Sequence, residues 1–529
     1  MDLHTAGHRR GVVAGPHAAA VEAGRAILSE GGNAIEAMVA MAAVIAVTYP
    51  HMNQLGGDGF WLIREPSGRV RAVMAAGVAG SLARPELYRE AGLDHIPARG
   101  PLAALTVPGA IGGWSLALEA AHARGGKLPL AEMLGPAIRH AREGFAISRS
   151  QAACAALAGL QRAPGFAETF LVDGKSPPAG SKLQQPALAA TLEQLARAGL
   201  DDFYRGDVGR EIAGELERIG SPVTRSDLER NRASVAEALS VDLRAGTVFN
   251  TPPPTQGLAA LVILALFDRL GVREPESFDH IHGLVEATKR AFALRDRYVT
   301  DPKRLPHPPQ RYLEPAYLDA EALAIDRRRA SRWTPSAGGG DTIWMGAADA
   351  SGLVVSYIQS LYWEFGSGCV LRQTGVLMQN RGVSFSLAPG ALNRLEPGRL
   401  PLHTLNPALA VLRDGRILAY GTMGGDAQPQ IQAALFTRHV GFEVPLAQAL
   451  ERPRWVLGQT WGAPHASLTV ESRFDEGVVE RLRAAGHDVE VLAQPFADSM
   501  GHAGAVLLHP NGTLEGAHDP RADGGAAGL

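Results

Sequence analysis

The sequence changes character at residues 303–341. Upstream of this segment, apolar residues recur at helical spacing, as in 33–49 and 130–141. Downstream, the pattern becomes short strands around tight turns, and 342–348 with 353–358 form the first such pair. The segment itself is rich in Pro, Arg, Ser and Gly, which predicts a loop. Helices followed by a run of hairpins predict a layered α+β fold in which helices cover antiparallel sheets.

The composition excludes several kinds of partner. Lys and Arg total 51 and Asp and Glu total 54, so the net charge is −3 and the chain lacks the basic excess typical of nucleic acid binding. The two cysteines, Cys154 and Cys369, are too few for a disulfide framework or a thiolate zinc site. The longest apolar run, 37–49, has 13 residues, whereas a membrane span needs about 20. With no signal-peptide pattern at residues 1–4, these features predict a soluble, cytoplasmic protein with no membrane or nucleic acid partner.

The step from Asp341 to Thr342 is the most informative place for chemistry, since the phosphate-loop, H-E-x-x-H and G-x-S-x-G motifs are absent from the sequence. A glycine run leads into an acid, a threonine and a strand. If the bond before Thr342 were cut, the threonine would carry a free α-amine beside its own hydroxyl. Such an amine has a pKa of about 7.7–8.0, so its neutral form can act as the general base for the hydroxyl. The alternative is an ordinary boundary between a loop and a strand.

Short blocks spread over nearly the whole chain carry a resemblance to a known family. In order they are Gly31–Ala34, Leu55–Phe60, Val107–Gly109, Phe203–Gly206, Pro252–Gly257, Met423–Gly425 and Asp519–Gly524. Their order and spacing resemble the γ-glutamyltranspeptidase family, a branch of the N-terminal-nucleophile hydrolases. The resemblance implies a four-layer αββα sandwich, and self-cleavage into a large, helix-rich subunit, 1–341, and a small, strand-rich subunit, 342–529. It implies no metal or organic cofactor. The oligomeric state stays open, and a dimer of the processed heterodimer is one possibility.

The resemblance also assigns roles to individual residues. Thr342 stands where the family has its nucleophile, which implies cleavage between Asp341 and Thr342. Ser360 stands where a second hydroxyl hydrogen-bonds the nucleophile, although an ordinary strand serine is the alternative. Gly424 and Gly425 match the glycine pair whose backbone N–H groups form the oxyanion hole, and a simple turn is the alternative there.

Several positions depart from the family's glutamyl-binding pattern. The early strand at 74–80 lacks the arginine that grips the α-carboxylate, and the stretch 379–385 lacks the acid that holds the α-amine. Tyr362 replaces an asparagine, and His403 with Thr404 replaces a serine pair. A charged glutamyl head left unpaired in a pocket costs several kcal/mol. The departures therefore predict a short acyl donor without an ammonium group.

The acyl donor can still be an anion. His403 is the first candidate for binding a substrate carboxylate and Arg372 the second, while Arg381 is also near in the sequence. Trp344 and Tyr362 add bulk close to the nucleophile and favour a small pocket. Plain core packing is the alternative for both aromatic residues.

Two further stretches, 341–346 and 360–368, look like the subgroup of this family that contains oxamate amidohydrolase. That resemblance implies hydrolysis of a small amide, oxamate, to oxalate and ammonia in purine-ring nitrogen catabolism, through an acyl ester on Thr342. Oxamate is tiny and anionic and has no ammonium, which agrees with the departures from the glutamyl-binding pattern. Two alternatives stay open: a divergent γ-glutamyl hydrolase or transferase acting on glutathione-like substrates, and a non-catalytic family member.

Overall fold

The structure, a computed structural model, describes residues 1–333, 340–458 and 467–529. Its strands are β1 His4–His8, β2 Gly11–Gly15, β3 Asp58–Arg64, β4 Val70–Ala75, β5 Phe145–Ala146, β6 Lys182–Leu183, β7 Ser234–Glu237, β8 Leu239–Leu243, β9 Gly246–Asn250, β10 Asp341–Asp349, β11 Val354–Tyr362, β12 Ala408–Leu412, β13 Ile417–Thr422, β14 Trp455–Gly458, β15 Ser467–Glu471, β16 Val489–Leu492, β17 Ala503–Leu508, β18 Leu514–His518 and β19 Gly525–Gly528.

The helices lie mainly upstream of residue 330, as the sequence pattern indicates. They are α1 Ala18–Ser29, α2 Ala34–Thr48, α3 Pro85–Glu90, α4 Ala110–His122, α5 Leu130–Glu143, α6 Arg149–Cys154, α7 Phe166–Phe170, α8 Pro186–Ala198, α9 Asp202–Arg205, α10 Asp207–Ile219, α11 Arg225–Arg230, α12 Gly257–Leu270, α13 Phe278–Tyr298, α14 Pro315–Leu323, α15 Gln428–Phe436, α16 Leu446–Glu451 and α17 Glu476–Ala484. None of the described helices combines the length and the apolar character needed to cross a bilayer.

Two seven-stranded antiparallel sheets form the centre of the molecule. One has the order β1-β18-β17-β13-β12-β9-β8, and the other has the order β19-β2-β10-β11-β3-β4-β7. Each sheet contains strands from both sides of residue 341. In the second sheet, β10 pairs with β2 and β11 pairs with β3, so the downstream hairpin is inserted between two upstream strands. Residues upstream and downstream of the junction therefore share one core.

Helices cover the outer face of each sheet. Helices α1, α2, α4 and α5 share one apolar cluster with the inner strands of the second sheet, and α12, α13 and α15 share another with the first sheet. A third cluster lies between the two sheets and includes Val12, Trp344 and Val506. Helix, sheet, sheet and helix follow in that order, which confirms the predicted four-layer α+β sandwich.

Helix α2 is the most deeply buried helix of the outer layers, with every residue from Ala34 to Thr48 buried. The Asn33 side chain accepts hydrogen bonds from the N–H groups of Ile35 and Glu36, both at 3.0 Å, and Glu36 accepts one from the Asn33 N–H at 2.8 Å. This capping box satisfies backbone donors that burial would otherwise leave unpaired.

One sequence prediction is wrong in this region. The segment 303–341 is not a loop throughout, because it contains α14. Pro315 occupies the first turn of that helix, where its missing N–H costs nothing, and Leu318 is buried. A composition rich in proline therefore concealed a short helix that packs on α12. Residues 334–339, which include most of the glycine run, lie outside the described residues.

The close approach of the two sheets gives a test of their packing. A Cβ at Gly421 would lie 2.1 Å from Cδ1 of Trp344, so Gly421→Ala must displace a buried indole. We expect it to lower the free energy of unfolding by about 1–3 kcal/mol, measured by urea denaturation. Gly214→Ala on α10 is the matched control, because its nearest neighbouring atom would be 4.0 Å away, and it should be neutral or stabilising. An unchanged unfolding midpoint for Gly421→Ala would contradict this packing.

Candidate active site

Thr342 is the second residue of β10 and is buried. Asp341 pairs with Tyr362 and Ile343 with Gln359, so the ladder between β10 and β11 is irregular at Thr342. Such an irregularity changes the direction in which a side chain points. The Thr342 hydroxyl accepts a hydrogen bond of 3.3 Å from the amide nitrogen of Gln428.

Gln428 is a neighbour of Thr342 that the sequence reasoning missed. It is the first residue of α15, and its carbonyl oxygen accepts a 3.0 Å hydrogen bond from the Asn406 amide. Asn406 in turn donates to the backbone oxygen of Thr404 at 2.9 Å. This chain of amides fixes which end of the Gln428 side chain faces the threonine. Only its position three residues after the glycine pair could have indicated it in the sequence.

Ser360 is buried in β11, where it and Leu361 together stand opposite Thr342. Its hydroxyl accepts a 2.7 Å hydrogen bond from the backbone N–H of Tyr362. The structure thus brings the two predicted hydroxyl residues to adjacent strands at the same level of the sheet. The direct hydrogen bond between them stays a prediction.

Gly424 and Gly425 follow β13 and both have positive φ angles, 117° and 55°. These conformations favour glycine, so the pair forms a tight turn that side-chain-bearing residues would strain. A Cβ at Gly340 would lie 3.4 Å from Cα of Gly425, so the chain just before the junction runs directly against this turn. The predicted oxyanion glycines and the predicted cleavage site are therefore neighbours.

A buried glutamine holds the glycine turn in place. The Gln256 amide nitrogen donates to the backbone oxygen of Gly425 at 2.8 Å and to that of Thr404 at 2.7 Å. The Gln256 carbonyl oxygen accepts a 2.9 Å hydrogen bond from Arg295, which also pairs with Asp426. The segment 252–257, identified in the sequence only as part of the resemblance, thus positions the turn.

Tyr362 and Arg381 form a stacked pair beside the junction. Tyr362 has a φ of 84°, an unusual value for a residue with a side chain and one that indicates local strain. The Arg381 guanidinium carbon lies 3.2 Å from the centre of the tyrosine ring. A Cβ at Gly340 would lie 3.0 Å from the same ring. The tyrosine of this pair therefore packs against the chain just before the junction.

Arg381 is almost wholly buried, and its Nη1 donates to the Thr404 hydroxyl at 3.1 Å. Its Nε and Nη2 have no hydrogen-bond partner among the described residues. Burial lowers the pKa of the guanidinium, because desolvation disfavours the charged form, and nearby Tyr362 and Asp58 partly offset that effect.

His403 is fully buried against the ring of Phe60, with 4.9 Å between ring centres. Its Nε2 lies 3.2 Å from Oδ2 of Asp58. The carboxylate favours a protonated ring, but desolvation outweighs it and lowers the pKa of His403 to about 4. The imidazole is therefore neutral near pH 7, which argues against the prediction that it binds a substrate carboxylate as a cation.

Two other sequence predictions need correction. The Arg372 side chain is 66% exposed and pairs with Glu168 at the surface, so it does not belong to the buried site. Trp344 does not line the pocket either. It lies on the same face of β10 as Thr342 but one step deeper, where its indole N–H donates to the Ser356 hydroxyl at 2.9 Å in the core between the sheets. Strand alternation alone could have indicated that position.

A separate cluster of donor atoms joins residues from both sides of the junction. His282 and Glu286 on α13 and His487 before β16 place donor atoms within 4.8 Å of one another. The two imidazoles hydrogen-bond at 2.8 Å, and the Lys289 ammonium bonds Glu286 at 2.7 Å. Lys289 also donates to the backbone oxygen of Ser331. With a buried ammonium already beside the carboxylate, this cluster is a closed network that anchors the segment leading to the junction.

The geometry described above agrees with comparisons to known proteins. A family model for gamma-glutamyltranspeptidase matches residues 20–529. The chain belongs to the γ-glutamyltranspeptidase family. Among curated relatives, the oxamate amidohydrolase proenzyme of Klebsiella pneumoniae is 53% identical, with 98% of each chain covered. The glutathione hydrolase-like YwrD proenzyme of Bacillus subtilis is 38% identical, again with 98% of each chain covered.

Solved structures support the same conclusion. The cephalosporin acylase of Bacillus halodurans superposes with a TM-score of 0.89 at 30% identity, covering 99% of this chain and 97% of that protein. Together with the family membership, this similarity confirms the predicted resemblance, the sandwich fold and the enzyme class. The chain is an amidohydrolase of the N-terminal-nucleophile type.

Burial of a neutral His403 predicts acid sensitivity. As the pH falls below about 6.5, the unfolded chain binds a proton at this residue, while the folded protein does so only near pH 4. Each such histidine should lower the free energy of unfolding by about 1.4 kcal/mol per pH unit within that window. His403→Gln should reduce this slope in urea denaturation between pH 7 and pH 5. His95→Gln, at an exposed ring, is the control and should leave it unchanged.

Proposed function

We propose that the chain is a self-cleaving precursor that is cut between Asp341 and Thr342. Cleavage would give a large chain, 1–341, and a small chain, 342–529, that remain associated because both contribute strands to each sheet. The similar Klebsiella and Bacillus proteins are both named as proenzymes, which supports this proposal. The position of Gly340 between Tyr362 and Gly425 supports the proposal further, because the bond to be cut then lies beside the glycine turn.

The same threonine carries out both self-cleavage and hydrolysis of the substrate amide. In the precursor, its hydroxyl attacks the carbonyl carbon of Asp341, the C–N bond breaks, and water then hydrolyses the resulting ester. In the mature enzyme, the freed α-amine accepts the hydroxyl proton as the oxygen attacks the substrate amide. The backbone N–H groups of Gly424 and Gly425 stabilise the oxyanion that develops on the attacked carbonyl. Water releases the acid from the acyl ester after ammonia has left.

The proposed substrate is oxamate, which the enzyme hydrolyses to oxalate and ammonia. The observation that carries this proposal is the charge pattern of the site: a buried guanidinium at Arg381, and no acid in 379–385 to hold an ammonium group. Such a site suits a small anion and disfavours a γ-glutamyl group, whose α-amine would be desolvated without a partner. The 53% identity to a protein named oxamate amidohydrolase proenzyme supports the same substrate. We place the reaction in the cytoplasm, which suits two buried cysteines that form no disulfide, Cys154 and Cys369.

Processing can be read from intact mass spectrometry of the purified protein. The wild type should give two chains split before Thr342, whereas Thr342→Ala should give one uncut chain because no hydroxyl attacks the preceding carbonyl. Thr342→Ser retains the hydroxyl and should still be cut, so it is the matched control. Efficient cleavage of Thr342→Ala at the same bond would rule out the proposed mechanism.

Substrate choice can be read from two assays on the processed protein. Ammonia should be released from oxamate, and turnover of a γ-glutamyl anilide should be far slower because its ammonium finds no acid at 379–385. Rapid γ-glutamyl turnover without oxamate hydrolysis would favour a divergent γ-glutamyl enzyme. A processed protein that hydrolyses neither compound would contradict the proposed substrate.

A further inference from the structure

We infer that Arg381 is the residue that binds the substrate's carboxylate, and that the site is built for acids whose carboxylate is bonded directly to the scissile carbonyl. This inference rests on the proposed function, since it assigns the binding group for that substrate. Sequence reasoning favoured His403 and then Arg372, but one is neutral and the other is at the surface. Arg381 is a buried cation that stacks on Tyr362, the partner of Asp341 in the ladder between β10 and β11.

The geometry of the Arg381 guanidinium suits a carboxylate. Nη1 is used by Thr404, and one face of the group is covered by the Tyr362 ring. The nitrogens without a hydrogen-bond partner among the described residues are Nε and Nη2, which form one edge of the planar group. That edge presents two parallel N–H bonds, the arrangement that binds a carboxylate in a bidentate manner.

The balance of charge around Arg381 also favours an added anion. Asp58 and Asp426 are the carboxylates that act on Arg381 at longer range. Asp58 accepts hydrogen bonds from the N–H groups of Gly77 and Gly109 through Oδ1, and its Oδ2 faces His403. Asp426 pairs with Arg295. Neither carboxylate hydrogen-bonds Arg381 in the described part of the chain, so an added anion would stabilise the buried guanidinium.

The edge formed by Nε and Nη2 of Arg381 is also connected to the reacting atoms through shared neighbours. Gln256 donates to the backbone oxygens of both Thr404 and Gly425, so one amide group holds both the residue that anchors Arg381 and the oxyanion turn. Tyr362, stacked on Arg381, pairs with Asp341 in the ladder that carries the nucleophile. A carboxylate bound at this edge would thus lie close to a substrate carbonyl at the glycine turn. The site therefore favours substrates in which the carboxylate is bonded directly to the scissile carbonyl.

The test compares oxamate with oxamide, a neutral molecule of nearly the same shape in which a second amide replaces the carboxylate. The processed wild type should prefer oxamate in kcat/KM by on the order of a hundredfold, as expected for a hydrogen-bonded charged group. Arg381→Gln should abolish most of this preference. The ratio of the two rates does not depend on the fraction of protein that folds, so a partly unstable variant still gives an answer.

A second variant covers the case in which Arg381→Gln does not fold or is not processed. Thr404→Val removes the acceptor that orients Nη1 while keeping the side-chain shape, and it should reduce the oxamate preference by about tenfold, mainly through KM. Thr404→Ser retains the acceptor and should preserve the preference. Arg372→Gln, at an exposed arginine, is the matched control for loss of positive charge and should behave as the wild type.

The outcomes separate this inference from the function on which it rests. A wild type that hydrolyses oxamate, with Arg381→Gln and Thr404→Val keeping the full preference over oxamide, would overturn the role of Arg381 alone. A processed wild type that does not hydrolyse oxamate would overturn the proposed function. Loss of the preference in Arg381→Gln, with Arg372→Gln unchanged, would establish the carboxylate site.

Discussion

The strand that carries Thr342 is hydrogen-bonded on both sides. β10 pairs with β2 on one edge and with β11 on the other, and its inner face packs against the first sheet. A chain cut immediately before Thr342 therefore frees one backbone end without freeing the strand. The nucleophile of such an enzyme must become a chain terminus, which normally frays, and yet keep a fixed position relative to its catalytic partners. Placing it at the end of a central strand meets both demands.

The same logic explains why the glycine turn depends on distant residues. Glycines at positive φ are accessible to close approach, but they gain no rigidity from their own side chains. Gln256 supplies that rigidity through its amide, and Arg295 holds the amide in turn through its ion pair with Asp426. Because Asp426 directly follows the glycine pair, the network returns to the turn it supports. The turn that we propose as the oxyanion site is thus formed by backbone downstream of the junction and held by a glutamine upstream of it.

Sequence patterns were sufficient for the layers of the fold, because these depend on local spacing, and one conspicuous motif was sufficient to propose Thr342 as the nucleophile. The hairpin that became β10 and β11 and the burial of α2 follow from alternation and helical periodicity. The charge state of the binding site could not be predicted in this way. His403 and Arg372 look equally cationic in a sequence, and only their burial and partners separate a neutral imidazole from a surface ion pair. Gln428 and Gln256 were missed because a glutamine in sequence carries no signal of the atoms it will hold.

Specificity in this site follows from desolvation more than from shape. Burying a guanidinium is costly, and here the cost is only partly offset within the protein, since Nη1 has Thr404 while Nε and Nη2 have no hydrogen-bond partner among the described residues. An anionic substrate completes that hydrogen bonding, whereas a neutral amide of the same size does so poorly. A substrate that carries an additional ammonium would place a second cation in the same dry space, near a guanidinium already disfavoured by burial. In the proposed site, one arginine would select for a carboxylate and against an amino acid head group, with no change to the chemistry proposed for the threonine.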